Sequence, residues 1–462
     1  METGLRGKLA SFRPQNLIRI MPAKGARAMA TVIVAGGGVI GLSIAWRAAQ
    51  RGFSVTVADP SPGQGASHAA AGMLSPVSEA TYTEKELFAL GAASLERYPG
   101  FVAELTSAAG GPTGFRRTGT LQVGYDADDL AVIDELHALH DSLGVPGRRL
   151  TARECRGLEP MLDPSVRGGL LAEADGSVDP RLLTRALLAA AARAGVQLIR
   201  QPVTRIIFDA EQARLGQTPR AGNDAERTRL GHTPAPGSTP ASTPDARPQR
   251  GGGPSGGRVR GVRLADGTEL TADWTVLAAG WNSAAIDGLP ADCVPPVRPV
   301  KGQVVRLRAP DGFLRRTVRG IVRGSSVYLV PRDEGELVVG ATQEELGPDI
   351  RVTAGGLWEL LRDARALVPG ITELEFTEAV ARLRPGTPDN APILGPCPAA
   401  GLVLATGHFR NGVLLTPVTA DVIADYLETG RLPEVAAHFT IGRFHADRPD
   451  PGSRPAPTGR PG

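Results

Sequence analysis

The sequence predicts a mixed α/β fold, α+β overall, in which a doubly wound sheet is joined to a second, antiparallel sheet. Strand and helix patterns alternate near the start of the chain, in TVIVAG, VIGLSIAWRAAQR and SVTVAD, which is typical of a βαβ unit. Later segments rich in β-branched residues, such as PVKGQVVRLRA, VYLVP and ELVVGAT, predict the second sheet. With 462 residues the chain is long enough for two or three domains.

The composition excludes several classes of partner. The formal net charge is only +3 and the basic residues are spread along the chain, so we expect no nucleic-acid binding. No apolar run approaches the roughly eighteen residues of a membrane span, and we expect a cytoplasmic protein. Cys155, Cys293 and Cys397 match no metal or redox spacing and are interpreted as buried thiols.

The first βαβ unit carries a glycine motif. Gly36, Gly38 and Gly41 form the pattern G-x-G-x-x-G between strand and helix, and Asp59 closes the next strand. The glycines permit a tight turn, close approach of a pyrophosphate and close packing of helix on strand. An acid at Asp59 can accept hydrogen bonds from a ribose. The arrangement predicts a Rossmann-like dinucleotide site but does not choose between FAD and NAD.

The elements that follow are predicted from local patterns. Amphipathic helices are expected near Glu84–Leu105 and Pro180–Ala194, and the strand GLVLATG leads into the helix TPVTADVIADYLETG. The segments QLIRQPVTRIIF and GRVRGVRLADGTEL predict a hairpin interrupted by an insertion. This insertion, residues 210–257, is rich in Pro, Gly and Thr and is predicted to be disordered, as are the leader 1–28 and the tail 446–462.

A loop of small residues, Ala66-Ser67-His68-Ala69-Ala70-Ala71-Gly72-Met73-Leu74, would let a flat cofactor approach closely. With this loop, the chain resembles the D-amino-acid oxidase superfamily of FAD-dependent oxidoreductases, and within it the glycine oxidases of thiamine biosynthesis. Further blocks carry the resemblance: VLAAGWNS, PVKGQ, VYLVPRDEGELVVGAT, RLRPGTPDNAPILG and GHFRNGVLLTP. It implies non-covalent FAD and no metal. We expect an FAD-binding domain from 29–90, 175–290 and 385–445, and a substrate-binding domain from 91–174 and 291–384.

The resemblance also assigns site residues. Tyr328 and Arg384 would surround a substrate carboxylate, which a planar guanidinium can grip by both oxygens, and Arg410 would lie at the substrate side of the flavin. Without the resemblance, Arg384 would be interpreted as a surface arginine and Tyr328 as a core tyrosine. The motif and the resemblance together give these FAD contacts: Gly36, Gly38, Val39, Ile40, Gly41, Asp59, Pro60, Ala66, Ser67, Ala71, Gly72, Met73, Val203, His408, Phe409, Arg410, Asn411, Gly412, Val413 and Leu414.

Four positions depart from related families. Arg382 and Val338 stand where sarcosine oxidases carry a flavin-bonding cysteine and a lysine at the oxygen site. His68 lies one residue from the histidine to which dimethylglycine dehydrogenases attach FAD. Gln343 stands where glycine oxidases can have a methionine over the substrate. These differences argue against a covalent flavin and leave the side-chain preference open.

The implied reaction is oxidation of glycine to glyoxylate, ammonia and H2O2, with a hydride passing from the α-carbon to flavin N5 and with O2 as acceptor. In the relatives, the imine intermediate supplies thiazole synthesis, which implies a functional link to thiazole synthase. An oxidase of sarcosine or a D-amino acid is an alternative, because one methyl group changes pocket affinity by only about 1–3 kcal/mol. A flavin dehydrogenase with another acceptor, a non-catalytic flavin-binding scaffold and homo-oligomerisation stay open.

Overall fold

The computed structural model describes residues 17–19, 30–145, 147–209 and 257–445. Within these ranges it contains three large sheets, one short two-stranded sheet and eight α-helices, so the predicted mixed α/β class is confirmed. The segments predicted to be disordered lie outside the described residues, apart from residues 17–19 and 257.

The helices and strands are numbered in chain order. The helices are α1 (Val39–Gln50), α2 (Ala66–Ala69), α3 (Lys85–Ala109), α4 (Ala127–Leu143), α5 (Ala152–Leu158), α6 (Pro180–Arg193), α7 (Ala354–Leu367) and α8 (Thr416–Thr429). The strands are β1 (Leu17–Arg19), β2 (Thr31–Ala35), β3 (Ser54–Ala58), β4 (Met73–Leu74), β5 (Thr120–Gly124), β6 (Arg148–Thr151), β7 (Gly168–Ala172), β8 (Gly176–Ser177), β9 (Gln197–Ile199), β10 (Val203–Phe208), β11 (Val259–Leu264), β12 (Glu269–Thr271), β13 (Trp274–Leu277), β14 (Arg298–Arg308), β15 (Thr317–Val322), β16 (Ser325–Pro331), β17 (Glu336–Gly340), β18 (Glu375–Gly386), β19 (Ile393–Pro396) and β20 (Leu402–Thr406).

A six-stranded sheet has the order β19-β20-β13-β2-β3-β9 and is parallel except for β19. Successive residues of β2 face opposite sides: Val32 and Val34 pack into the core formed with α1, α3, α6 and α8, whereas Ile33 and Ala35 pack towards a four-stranded sheet. Burial on both faces explains why the sequence of β2 is an almost continuous apolar run.

The four-stranded sheet has the order β1-β12-β11-β10. Its β10–β11 hairpin is confirmed. A turn at Asp266-Gly267, where Gly267 has a φ of 86°, joins β11 to β12. The segment QLIRQPVTRIIF does not form one strand, however. Gln197–Ile199 belongs to the six-stranded sheet and Val203–Phe208 to this one, because Pro202 separates them and cannot donate to a ladder.

An eight-stranded sheet has the order β18-β14-β17-β16-β15-β5-β7-β6. Its pairs are antiparallel apart from β5–β15. One face packs against α5, α7 and the apolar segment 309–314, with Leu329 and Val339 fully buried. The long strands β14 and β18 are paired from Arg298↔Gly386 to Arg308↔Glu375, and their other face helps to form the cavity described next.

Candidate active site

One large cavity, of about 1210 Å³, lies between the six-stranded and eight-stranded sheets. It runs from the β2–α1 turn at Gly36 to Tyr328 and Arg384 on the eight-stranded sheet. The predicted cofactor contacts that line it are Gly36, Gly38, Val39, Ile40, Asp59, Pro60, Ala66, Ser67, Ala71, Gly72, Met73, Val203, His408, Phe409, Arg410, Gly412 and Val413. Gly41, Asn411 and Leu414 are not part of this lining, and all of these assignments stay predictions.

The turn at one end of the cavity requires glycine at two positions. Gly36 has a φ of 115°, and a Cβ there would lie 2.3 Å from the Ala278 carbonyl oxygen. A Cβ on Gly41 would lie 1.9 Å from the Gly36 carbonyl oxygen, so Gly41 permits α1 to pack on the turn. Helix α1 has no acidic residue in its first turn, and its N-cap, Gly38, has no side chain; only the Val39 N–H has a side-chain partner, Ser67 Oγ at 3.2 Å. Its N-terminus therefore faces the cavity as an anion site of the kind that holds a pyrophosphate.

Asp59 lies beside this turn at the end of β3. Its Oδ2 accepts a hydrogen bond from the Gly37 N–H at 2.7 Å, and its Oδ1 accepts one from the Ser61 N–H at 2.7 Å. These two bonds fix the carboxylate at the cavity wall. Because each carboxylate oxygen can accept more than one bond, Asp59 keeps acceptor capacity for the hydroxyls of a ribose.

A buried arginine that sequence reasoning missed holds the small-residue loop in place. Arg332 donates hydrogen bonds to the carbonyl oxygens of Ala71 and Val178, the latter at 2.9 Å. Burial lowers the pKa of Arg332 to about 10, so it remains a cation at neutral pH. Gly72 has a φ of 71°, and a Cβ there would lie 2.0 Å from the Val178 carbonyl oxygen. The glycine turn, the N-terminus of α1 and this loop together fit a bound dinucleotide.

Arg384 projects into the opposite end of the cavity. Its Nη1 donates to the carbonyl oxygens of Lys301 at 3.4 Å and Thr342 at 3.1 Å. A Cβ on Gly302 would lie 2.3 Å from Arg384 Nη2, so the guanidinium rests directly on the glycine of the neighbouring strand. Within the described part of the chain, Arg384 forms no ion pair with a carboxylate. Its charge is available to an anionic ligand.

Tyr328 lies close to this guanidinium on the same face of the sheet. A Cβ on Gly340, its cross-strand partner, would lie 2.5 Å from the Tyr328 hydroxyl, so the ring lies across that glycine. Burial raises the pKa of Tyr328, while the Arg384 charge opposes this shift. The hydroxyl is therefore protonated at neutral pH and can donate a hydrogen bond to a carboxylate.

Arg410 is engaged by two acidic residues of the segment that precedes α3. Its Nη2 donates to Glu84 Oε2 at 3.0 Å, and its Nε lies 3.8 Å from Glu79 Oε2. Glu79 also pairs with Nη1 of Arg319 at 2.9 Å. Arg319 and Glu79 both line the cavity, and sequence reasoning missed both, because neither lies in a recognisable motif.

The loop before α8 borders the cavity opposite the glycine turn. Burial lowers the pKa of His408 to about 3, so the imidazole is neutral, and its Nε2 lies 3.1 Å from Thr419 Oγ1. Phe409 has a φ of 46°, an uncommon conformation for a bulky residue. Leu414 lies outside the cavity lining because it packs beneath α3, where its carbonyl oxygen accepts a hydrogen bond from Ser94 Oγ at 2.6 Å.

The positions that depart from related families separate into two groups. Arg382 and Gln343 line the cavity, and Arg382 Nε donates to the Gln64 carbonyl oxygen at 2.9 Å. Val338 and His68 are not part of the cavity lining. Val338 is fully buried in a small apolar cluster, and His68 Nε2 lies 3.8 Å from Glu378 Oε1.

The described residues contain no cluster of three or more potential metal ligands of the His, Cys, Asp or Glu type. None of their helices is both long and apolar enough to cross a membrane.

Comparisons with known proteins identify relatives of this chain in sequence and in fold. Residues 31–231 and 248–426 match the family model described as FAD dependent oxidoreductase. The bifunctional protein ThiO/ThiG of Trichormus variabilis is 31% identical over 89% of this chain, but the chain spans only 55% of that protein's length. Glycine oxidase of Geobacillus kaustophilus is 30% identical over 89% of this chain and 96% of its own. The crystal structure of glycine oxidase from that organism has a TM-score of 0.73, covering 89% of this chain and 98% of that one.

Proposed function

This chain belongs to the family of FAD-dependent oxidoreductases, and on that premise we propose that it oxidises glycine, with water and O2, to glyoxylate, ammonia and H2O2. The observation that carries this proposal is Arg384, a guanidinium with no carboxylate partner in the described residues, which lies in a cavity beside a protonated tyrosine hydroxyl. FAD, when bound, supplies the acceptor for the electrons taken from the substrate.

The residues at the Arg384 end of the cavity suit a small amino acid. Arg384 binds the carboxylate through the N–H groups that its backbone contacts leave unused, and Tyr328 donates its O–H to the same carboxylate. Two fixed donors orient the α-carbon, and orientation contributes much of the catalysis that such a site can provide. Glu79 is occupied by Arg319 and Arg410, so we do not assign it as a base.

We further propose that the imine formed from glycine supplies thiazole synthesis, and that the protein has a functional link to thiazole synthase. Relatives named ThiO/ThiG and glycine oxidase support this proposal. The alternatives are oxidation of sarcosine or a D-amino acid, since Gln343 at the cavity wall leaves the side-chain preference to experiment.

Peroxide release by the FAD-loaded protein tests the proposal, with glycine, sarcosine, D-alanine and D-proline as substrates. We expect the highest kcat/KM for glycine. In Arg384→Ala the KM for glycine should rise by at least tenfold, because a charge-assisted hydrogen bond contributes about 1.5–3 kcal/mol. Absence of peroxide from all four substrates, despite bound FAD, would refute the proposal.

Gly302→Ala provides an independent test of carboxylate binding by Arg384. The new Cβ would overlap Arg384 Nη2 and displace the guanidinium without removing it, so the KM for glycine should rise while FAD remains bound. Gly355→Ala is the matched control, because a Cβ at Gly355 meets nothing within 4 Å. An unchanged KM in Gly302→Ala would mean that Arg384 does not bind the carboxylate from this position.

A further inference from the structure

Two arginines of one strand line the same cavity. Arg382 and Arg384 are two positions apart on β18, so their side chains leave the same face of the sheet, with Cα atoms roughly 7 Å apart. The Arg384 guanidinium lies over Gly302 and donates to the Thr342 carbonyl oxygen. The Arg382 guanidinium instead donates through Nε to the Gln64 carbonyl oxygen at 2.9 Å. The two side chains therefore end in different parts of the cavity.

Gln64 belongs to the loop beside the N-terminus of α1. The preceding Gly63 N–H donates to the Gly37 carbonyl oxygen at 2.8 Å, inside the glycine turn. Later in the same loop, Ser67 Oγ accepts a hydrogen bond from the Val39 N–H, in the first residue of α1, at 3.2 Å. The guanidinium that is bound to this loop therefore lies near both the glycine turn and the first turn of α1.

The contacts of Arg382 leave donors free for an anion. Its Nη1 donates to the Ala381 carbonyl oxygen at 2.8 Å, and no hydrogen bond to the described residues uses Nη2. Within the described ranges Arg382 pairs with no carboxylate, and Glu378 of the same strand pairs instead with Arg181 at 2.8 Å. Since a guanidinium has five N–H donors, Arg382 can bind an anion while both of its backbone contacts persist.

The other arginines of the cavity lining lie towards its substrate end. Arg319 and Arg410 flank Glu79, and Arg384 contacts the segment that follows β17. Among the described lining residues, Arg382 is therefore the cationic side chain beside the glycine turn. The family to which this chain belongs is FAD-dependent, and FAD carries a negative charge on each phosphate of its pyrophosphate. A helix N-terminus, equivalent to about half an elementary charge, offsets only part of this charge.

We propose that Arg382 binds the pyrophosphate of FAD, together with the N-terminus of α1. A planar guanidinium can donate to two phosphate oxygens at once, which suits arginine to phosphate sites. The Gln64 carbonyl oxygen orients the guanidinium from the other half of the fold. Strand β18 thus holds the cofactor through Arg382 and the substrate carboxylate through Arg384. The role of Arg384 rests on the proposed function, whereas that of Arg382 does not depend on which amine is oxidised.

Competition by ADP and adenosine tests this role, because the two ligands differ only in the diphosphate. Each displaces FAD from the FAD-loaded protein, and the fluorescence of released FAD gives its Kd. In Arg382→Gln the ratio of the adenosine Kd to the ADP Kd should fall about fivefold or more, because a charge-assisted hydrogen bond is lost at a partly exposed site. Arg382→Lys should restore part of the ratio, because it keeps the charge without the planar fork. Arg308→Gln, on an exposed side chain of β14, is the control and should leave the ratio unchanged.

The salt dependence of FAD binding distinguishes a charge contact from a structural role. The Kd for FAD should rise with NaCl more steeply in the unmodified protein than in Arg382→Gln, because salt screens the contact between guanidinium and phosphate. Equal slopes, or an unchanged ratio of the adenosine and ADP constants, would overturn the proposal. Equal weakening of both ligands would also overturn it, because Arg382 would then only hold the loop at Gln64. Neither measurement uses peroxide, so absence of peroxide from every substrate would overturn the proposed function and leave this result intact.

Discussion

At the scale of single residues, Asp175 is a carboxylate in an unfavourable environment. It lies between β7 and β8, is fully buried and accepts hydrogen bonds from the Val77 and Ser78 N–H groups at 3.3 Å each. Burial raises its pKa to about 7, and the hydrogen bonds from Ser78 and Val77 oppose this shift only partly. Since these amides directly precede Glu79, Asp175 fixes the backbone that carries a cavity residue.

The raised pKa of Asp175 predicts a pH-dependent stability. Between pH 3.8 and about 7 the folded protein keeps a proton that the unfolded chain has released. The contribution of this proton is therefore fully present below pH 3.8 and is lost as the pH rises through 7. Its size is at most on the order of 4 kcal/mol.

Asp175→Asn should remove this contribution to the pH dependence. Urea unfolding gives the free energy of unfolding at pH 5 and at pH 8. The difference between these two values should be smaller in Asp175→Asn than in the unmodified protein. Asp311→Asn, at an exposed position, is the control. Equal pH dependences in Asp175→Asn and the unmodified protein would contradict the assignment.

Single residues also show where sequence reasoning reached its limit. Gly302 and Gly340 are isolated glycines within strand patterns, which is a signal for close approach of another group. That Arg384 and Tyr328 are the approaching groups follows only from strand register, which pairs Tyr328 with Gly340 and aligns β14 with β18. The glycines are visible in the sequence, but the strand register cannot be predicted from it.

At the scale of elements, the segment 344–353 between β17 and α7 is held at both ends by one buried glutamine. Gln303 Nε2 donates to Glu344 Oε1 at 2.7 Å, and its Oε1 accepts from the Thr353 N–H at 2.8 Å. Between these ends, Pro348 and Ile350 line the cavity. Gln303 therefore fixes one wall of the cavity through the two ends of this segment.

Gln303→Ala should loosen this segment. The Thr353 N–H loses its acceptor, and Glu344 keeps only Thr342 and Lys301 as side-chain partners. A buried donor or acceptor left unpaired costs about 1–3 kcal/mol. We expect faster amide hydrogen exchange in residues 345–352 and a raised KM for glycine, with FAD affinity unchanged. Gln197→Ala, at an exposed position of β9, is the control. Equal exchange rates in Gln303→Ala and the unmodified protein would show that other contacts hold the segment.

The sequence predicts elements well where their pattern is local. The β2–α1–β3 unit, α3, α6 and α8 all form where periodicity and caps place them, to within a few residues at their ends. The parallel pairing of β5 with β15 has no local signal, because it joins strands from distant parts of the chain. The same is true of the contact between Glu79 and Arg319.

At the scale of the whole molecule, the large cavity is lined by residues from both halves of the fold. Gly36 and Asp59 belong to the turns of the six-stranded sheet, whereas Tyr328 and Arg384 belong to the eight-stranded sheet. A ligand that binds only the folded protein stabilises it by about 2.7 kcal/mol at a concentration of 100 Kd. FAD should therefore stabilise both halves together.

The β10–β11 hairpin predicts that residues 210–256 can be removed. The strand ends on either side are already neighbours, since Phe208 pairs with Val259 and the Asp209 N–H donates to the Arg258 carbonyl oxygen at 3.1 Å. An Asn-Gly turn can join such ends. Val203, the cavity residue of β10, lies at the opposite end of that strand.

Replacement of residues 210–256 by Asn-Gly should therefore leave FAD binding and kcat/KM for glycine unchanged. The melting temperature should rise, because a shorter connection between β10 and β11 loses less conformational entropy on closure, on the order of 2–3 kcal/mol for this change in length. Peroxide assays of the FAD-loaded proteins measure kcat/KM, and thermal unfolding measures the melting temperature. Loss of turnover with FAD still bound would show that the segment contributes to the active site. A protein that binds FAD, never turns over and loses a partner on this deletion would instead be a flavin-binding scaffold.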